Sequence, residues 1–95
     1  MKFSKEYSKL NKKRFTTIRK NTRRYKPESI YSIITPKQKF KARVISRLYI
    51  KKEDITDFIA LYDADCSRWE LIELLEKWYG RDFNDFVLIT LERIG

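Results

Sequence analysis

Residues 12–26 read KKRFTTIRKNTRRYK, with eight Lys or Arg, no carboxylate, and an apolar, β-branched centre, FTTI. Cations at that density suit one kind of chemistry, the holding of phosphate oxygens, because each contact releases condensed counterions and the summed field draws a polyanion inward. Tyr25 places a flat ring beside Arg23, Arg24 and Lys26, a combination that stacks on an unpaired base while the cations hold its phosphates. Lys12, Lys13, Arg14, Arg19, Lys41 and Arg43 complete the candidate nucleic-acid-binding set. A second cluster, DADC at residues 63–66, sets Asp63 and Asp65 just ahead of a helix start, where the helix dipole favours negative charge. Cys66 stands next to the cap of that helix, a place that lowers a thiol's pKa, but without a neighbouring base or second thiol it reads as a small buried residue.

What the chain lacks narrows the chemistry. It has no His and one Cys, which excludes His-based triads, zinc sites built on Cys or His clusters, and disulfides within the chain. No metal or cofactor is expected. The opening MKFSKEYSKL has no continuous apolar core of the signal-peptide kind, and no run approaches the roughly 18 apolar residues of a membrane span. The expectation is a cytoplasmic, reducing location with no membrane.

A length of 95 residues fits one domain, residues 1–95, with a single modest core. Hydrophobic residues at 42% and aromatics at 15%, against two Gly and two Pro, suit a packed chain. Net charge is +9, divided unevenly: residues 1–52 carry 18 basic and 2 acidic side chains, residues 53–95 carry 4 and 11. The halves are thus +16 and −7. Such a division either makes a polyanion-binding surface or lets the halves neutralise each other in the fold. The acidic half also offers a helical face, Glu70, Glu73 and Glu76, that suits a protein partner.

The elements that must position these residues follow from periodicity. Phe3, Tyr7 and Leu10 have helical spacing, with Ser4 as a cap, which predicts a short helix over 4–10. Residues 14–20 read as a strand, because aromatic and β-branched side chains suit a pleated, half-buried surface, and Thr17 and Arg19 then share a face with Phe15. SIYSIIT and KFKARVISRLYI predict two strands about the PKQ turn, the second burying Phe40, Ala42, Val44, Ser46 and Leu48. Ile55, Phe58, Ile59 and Tyr62 mark a helix capped by Asp54. Ser67 to Glu70 form a capping box, Leu71, Leu74, Leu75 and Trp78 the stripe of a second helix, and Gly80 its stop. Trp69, Trp78 and Tyr79 are read as packing residues in preference to stacking platforms. DFVLITLERI closes the chain as a mostly buried strand. The order fits an α+β domain with a small curled sheet.

The stretch KKRFTTIRKNTRRYKPESIYSI resembles the signature of ASCH domains, small archaeal and bacterial members of the PUA-like superfamily, written Gly-x-Lys-x-x-(Glu or Thr)-x-Arg before a loop and a Gly-Asp turn. Lys12 stands at the glycine, Arg14 at the lysine, Thr17 at the acid or threonine, Arg19 at the arginine, and Glu28-Ser29 at the Gly-Asp turn. The likeness runs on through KFKARVISR, the DADC loop with its helix, and the last strand, covering nearly the whole chain. It implies a PUA-like β-pseudobarrel of about five strands with two to three helices, and RNA or a nucleotide as ligand.

Some ASCH relatives are amidohydrolases that deacetylate N4-acetylcytidine with a lysine, a threonine and a carboxylate. Carried over, the threonine is Thr17 and the carboxylate Asp63, or failing that Asp65. Arg14 holds the lysine's place, and a guanidinium stays protonated, so it cannot act as base. Lys13 points to the opposite face on a regular strand. The expected function is RNA or nucleotide binding in a cleft, with deacetylation of a modified nucleoside as the alternative.

Overall fold

Phe15, Thr16, Thr17 and Ile18 make strand β1, Arg14–Lys20, so the cation-rich run is a structural element and not a free arm. The computed structural model describes residues 1–95. Three further strands follow, β2 (Ile30–Ile34), β3 (Lys39–Ile50) and β4 (Phe86–Arg93). They form one antiparallel open sheet in the order β1-β4-β3-β2. Two helices, α1 (Asp57–Ala64) and α2 (Arg68–Tyr79), complete an α+β fold. The sheet has four strands, not the five expected.

The last strand lies inside the sheet because its apolar run can be buried on both sides. Phe86, Val87, Ile89 and Leu91 are all buried, and the register sets Thr17 opposite Ile89 and Arg19 opposite Val87. Strand β1 is a sheet edge, and α1 lies along it, the Tyr62 hydroxyl donating to the Arg14 carbonyl at 2.9 Å.

The predicted helix over 4–10 does not form. The segment is extended up to a 3₁₀ turn at Ser8–Asn11, because residues 1–3 pair in parallel with β2: the Phe3 amide donates to the Ile34 carbonyl, and the Ile34 amide to that of Met1, both at 2.9 Å. Phe3, Tyr7 and Leu10 are buried all the same. Phe3 meets Phe15 edge-on at 6.4 Å, and Phe15 meets Phe40 at 6.0 Å, so an aromatic chain ties this segment to β1 and β3.

Strand β3 departs from its predicted alternation halfway. Phe40, Ala42 and Val44 are buried, but a bulge between Val44 and Ser46 inserts Ile45. One extra residue reverses the faces; Ser46 and Leu48, expected inside, are exposed. Helix α1 is capped by Thr56, whose hydroxyl accepts from the Ile59 amide at 3.1 Å. Asp54 instead closes a separate 3₁₀ turn, Lys52–Asp54, accepting from the Lys51 amide at 2.9 Å. The Ser67/Glu70 capping box forms as predicted, with both reciprocal bonds at 3.2 Å.

Candidate functional site

Helix α2 does not close fully onto the sheet. Beneath it, between β1 and the N-terminal segment, lies a cavity of about 460 Å³. Leu71, Leu74, Leu75 and Trp78 form its α2 wall, Phe3 and Tyr7 the facing one, and Lys9, Thr17, Arg19 and Asp63 its polar part.

Asp63 faces inward because it shares one side of α1 with Ala60 and Ala64, spaced i, i+3, i+4, and those small residues let the helix approach. Its Oδ1 accepts from the Thr16 hydroxyl at 2.8 Å and from the Lys9 amine at 3.3 Å. Lys9 and Asp63 are both buried, at 3% and 5% exposure. The Lys9 amine also lies 5.2 Å from the ring centroids of Phe3 and Tyr7. Burial pulls the Lys9 pKa below the usual lysine range, and the Asp63 carboxylate offsets this only in part.

Asp65 has a different task. It ends α1 in the left-handed region at φ 57°, is exposed, and accepts from the Ser8 amide at 2.9 Å and from the Ser8 hydroxyl. Those bonds hold its carboxyl below the usual range. The two acids of DADC thus grip one turn: Asp65 fixes Ser8, and Asp63 receives Lys9. Of the two, Asp63 is the carboxylate in the cavity.

Thr17 is buried, and its hydroxyl accepts from Arg19 Nε at 3.1 Å. Arg19 lies over the Phe3 ring at 5.1 Å and donates from Nη2 to the Lys2 carbonyl at 3.2 Å. Thr17, Arg19 and Asp63 therefore line one cavity. Arg14 is not among them; it is mostly exposed and bonds Glu92 Oε2 at 3.0 Å. The buried amine in the cavity is Lys9, which sequence reading missed. On a helix with Phe3, Tyr7 and Leu10 inward, position 9 turns outward; only the 3₁₀ turn brings it in.

The remaining candidates lie outside the cavity. Lys12 sits over the Tyr62 ring at 4.6 Å, and Lys13, exposed, offers its carbonyl to the Arg93 amide at 2.7 Å. Lys41 is exposed, while Arg43 approaches Glu92 at 3.8 Å. Arg23 and Lys26 line a shallow depression with Asn21, Thr22 and Arg47. Arg47 ties this loop to β3, donating to Asn21 Oδ1 and to the Thr22 and Arg24 carbonyls. Tyr25 is half-buried, its ring tilted against Tyr31 at 5.5 Å with Arg24 over it at 5.7 Å. The ring is already occupied by the protein's own contacts.

Three readings are corrected. Trp69 and Trp78 are 68% and 52% exposed, so neither is core; Trp78 instead borders the cavity. Only Tyr79 packs inward, against Phe83 and Phe86 at 5.8 and 5.5 Å. The Cys66 thiol is raised, not lowered, by burial and then by the Glu70 carboxylate. The ion pairs Lys9–Asp63, Arg14–Glu92, Arg43–Glu92 and Lys52–Glu76 all join the basic half to the acidic one, yet exposed cations such as Lys20, Arg23, Lys26 and Lys41 stay outside them. No helix is long and apolar enough to cross a membrane.

No family model, curated protein or solved structure matches this chain.

Proposed function

We propose that this protein binds RNA or a free nucleotide, seating a base in the cavity beneath α2 and its phosphates against Arg19, Lys2 and the basic segment 12–26. The observation that carries the reading is the composition of the cavity. An apolar wall with the exposed Trp78 ring faces a floor of hydroxyl, guanidinium and amine, which matches a flat ring at one end and an anion at the other. Arg19 belongs to both the cavity and the cationic run, so a ligand held inside continues onto the basic surface.

The PUA-like ASCH reading of the fold has two supports. The N-terminal segment bonds β2 on one side and takes Arg19 of β1 on the other, which brings the two sheet edges towards a pseudobarrel. Glu28, at the family's turn glycine, has φ 75°, the conformation glycine would favour there. Lys12, at the other glycine position, is extended with φ −91°, so that site needs no glycine. The unpaired Cys66 suits a reducing, cytoplasmic setting.

The test is binding of single-stranded RNA, duplex RNA and duplex DNA across a salt series. Single-stranded RNA binds best. Arg19→Ala lowers the salt slope by about one and weakens binding of RNA more than that of DNA. Equal affinity for all three polyanions, lost together with salt, would remove the reading.

One observation favours the amidohydrolase as a second reading. The missing lysine is supplied by Lys9, whose lowered pKa suits an amine that accepts a proton. It lines the same cavity as Thr17 and Asp63. Release of acetate from N4-acetylcytidine, lost in Lys9→Met and Thr17→Ala, would establish it.

A further inference from the structure

Lys9 is a primary amine enclosed in a ligand-sized cavity, and nucleotide binding gives it no chemical task. Its surroundings are those of an amine that reacts. Both of Asp63's hydrogen bonds, from Lys9 and Thr16, fall on Oδ1, and no fully buried side-chain oxygen lacks a partner, so Oδ2, without a partner, keeps some accessible surface. The 3.3 Å Lys9–Asp63 contact gives the ammonium a carboxylate to which a proton can pass, among the apolar side chains of Phe3, Tyr7 and Leu71. Burial lowers the amine's pKa, which eases that loss. Across the cavity Arg19 and Lys2 supply positive charge that no lining carboxylate except Asp63 answers.

We propose that Lys9 captures a small aldehyde bearing an anionic group as an imine, with Asp63 moving the protons and Arg19 holding the anion. The Lys9 ammonium passes a proton to Asp63, and the freed lone pair forms a C–N bond to the carbonyl carbon as the C–O π bond breaks. A proton moves from nitrogen to that oxygen, giving the carbinolamine. Asp63 then returns its proton to the hydroxyl, which leaves as water while the nitrogen lone pair closes C=N. The net change is ammonium plus carbonyl to iminium plus water, with no oxidant or reductant, and the iminium remains paired with the Asp63 carboxylate. The proposal uses the cavity described above but does not require a nucleotide as its ligand.

The probe is 4-carboxybenzaldehyde, with 4-methylbenzaldehyde as its uncharged counterpart, each given to the folded protein at neutral pH with cyanoborohydride and mapped by peptide mass spectrometry. Lys9 is expected to be alkylated about tenfold faster than exposed lysines such as Lys39 and Lys41, which have neither the cavity nor a carboxylate partner. Arg19→Ala slows Lys9 labelling by the carboxylated aldehyde more than labelling by the uncharged one. Urea abolishes the preference. Labelling of Lys9 no faster than of Lys39 and Lys41 in the folded wild type overturns the proposal, with no variant needed. A nucleotide titration on the same sample separates the two claims: selective Lys9 labelling without nucleotide binding keeps the imine and removes the nucleotide, and the reverse result does the opposite.

Discussion

Cutting the Lys9–Asp63 pair from either side should destabilise the fold, and cutting both should cost less than the sum. At 3.3 Å and an effective dielectric near 20, the gross attraction is about 5 kcal/mol. Desolvation cancels much of it, but removing one partner leaves the other buried and unanswered, which costs about 3 kcal/mol. Lys9→Met keeps chain length and apolar contact with Phe3 and Tyr7; Asp63→Asn keeps an acceptor for the Thr16 hydroxyl. Each is expected to lose about 3 kcal/mol in urea denaturation, and the double variant about 2 kcal/mol less than the sum. The pH dependence has a definite sign. A lysine whose folded pKa lies below its unfolded value weakens the fold while charged, so stability rises with pH from the lowered value up to the ordinary one near 10.4. Asp63→Asn removes the group that holds the folded pKa up, so this variant should gain more stability than wild type between neutral and alkaline pH. Single losses under about 1 kcal/mol that simply add would refute a buried, coupled pair.

Glu28 holds φ 75° without being glycine, so Glu28→Gly should stabilise by about 1 kcal/mol, read as a higher urea midpoint at unchanged slope. The lowered Asp65 carboxyl contributes stability above its unfolded pKa that is lost as pH falls through its folded one; Asp65→Asn should therefore show a flatter acid limb in thermal melts, and an unchanged limb would sink that role. Arg14 is engaged with Glu92 outside the cavity, so Arg14→Ala should weaken single-stranded RNA binding by no more than one surface charge does, whereas Arg19→Ala should exceed it in the same titration.

Strand β1, the capping box of α2 and strand β4 were legible because their signals are local: β-branched side chains, a Ser–Glu spacing, an unbroken apolar run. Thr17, Arg19 and Asp63 were named on the ASCH resemblance, and the strand and helix that carry them are among these local elements. What failed depended on distant partners. The N-terminal segment has helical spacing, but residues 1–3 pair with Ile34, and the 3₁₀ turn that follows brings Lys9 inward. The bulge at Ile45 leaves no mark in a sequence whose alternation continues through Leu48. Trp78 belongs to the apolar stripe of α2, yet only Leu71 and Leu75 of that stripe reach the core, and Trp78 stays exposed at the cavity. The pairing of Arg14 with Glu92, at the far end of the chain, likewise depends on a distant partner.

A ligand seated in the cavity beneath α2 perturbs the residues that line it. Titration of isotope-labelled protein with a nucleoside monophosphate, followed by amide and indole shifts, tests it most directly. Saturable shifts concentrated at Thr17, Arg19, Asp63 and the Trp78 indole are expected. Shifts confined to exposed residues such as Arg23, Lys26 and Lys41, growing without saturation and vanishing with added salt, would contradict it.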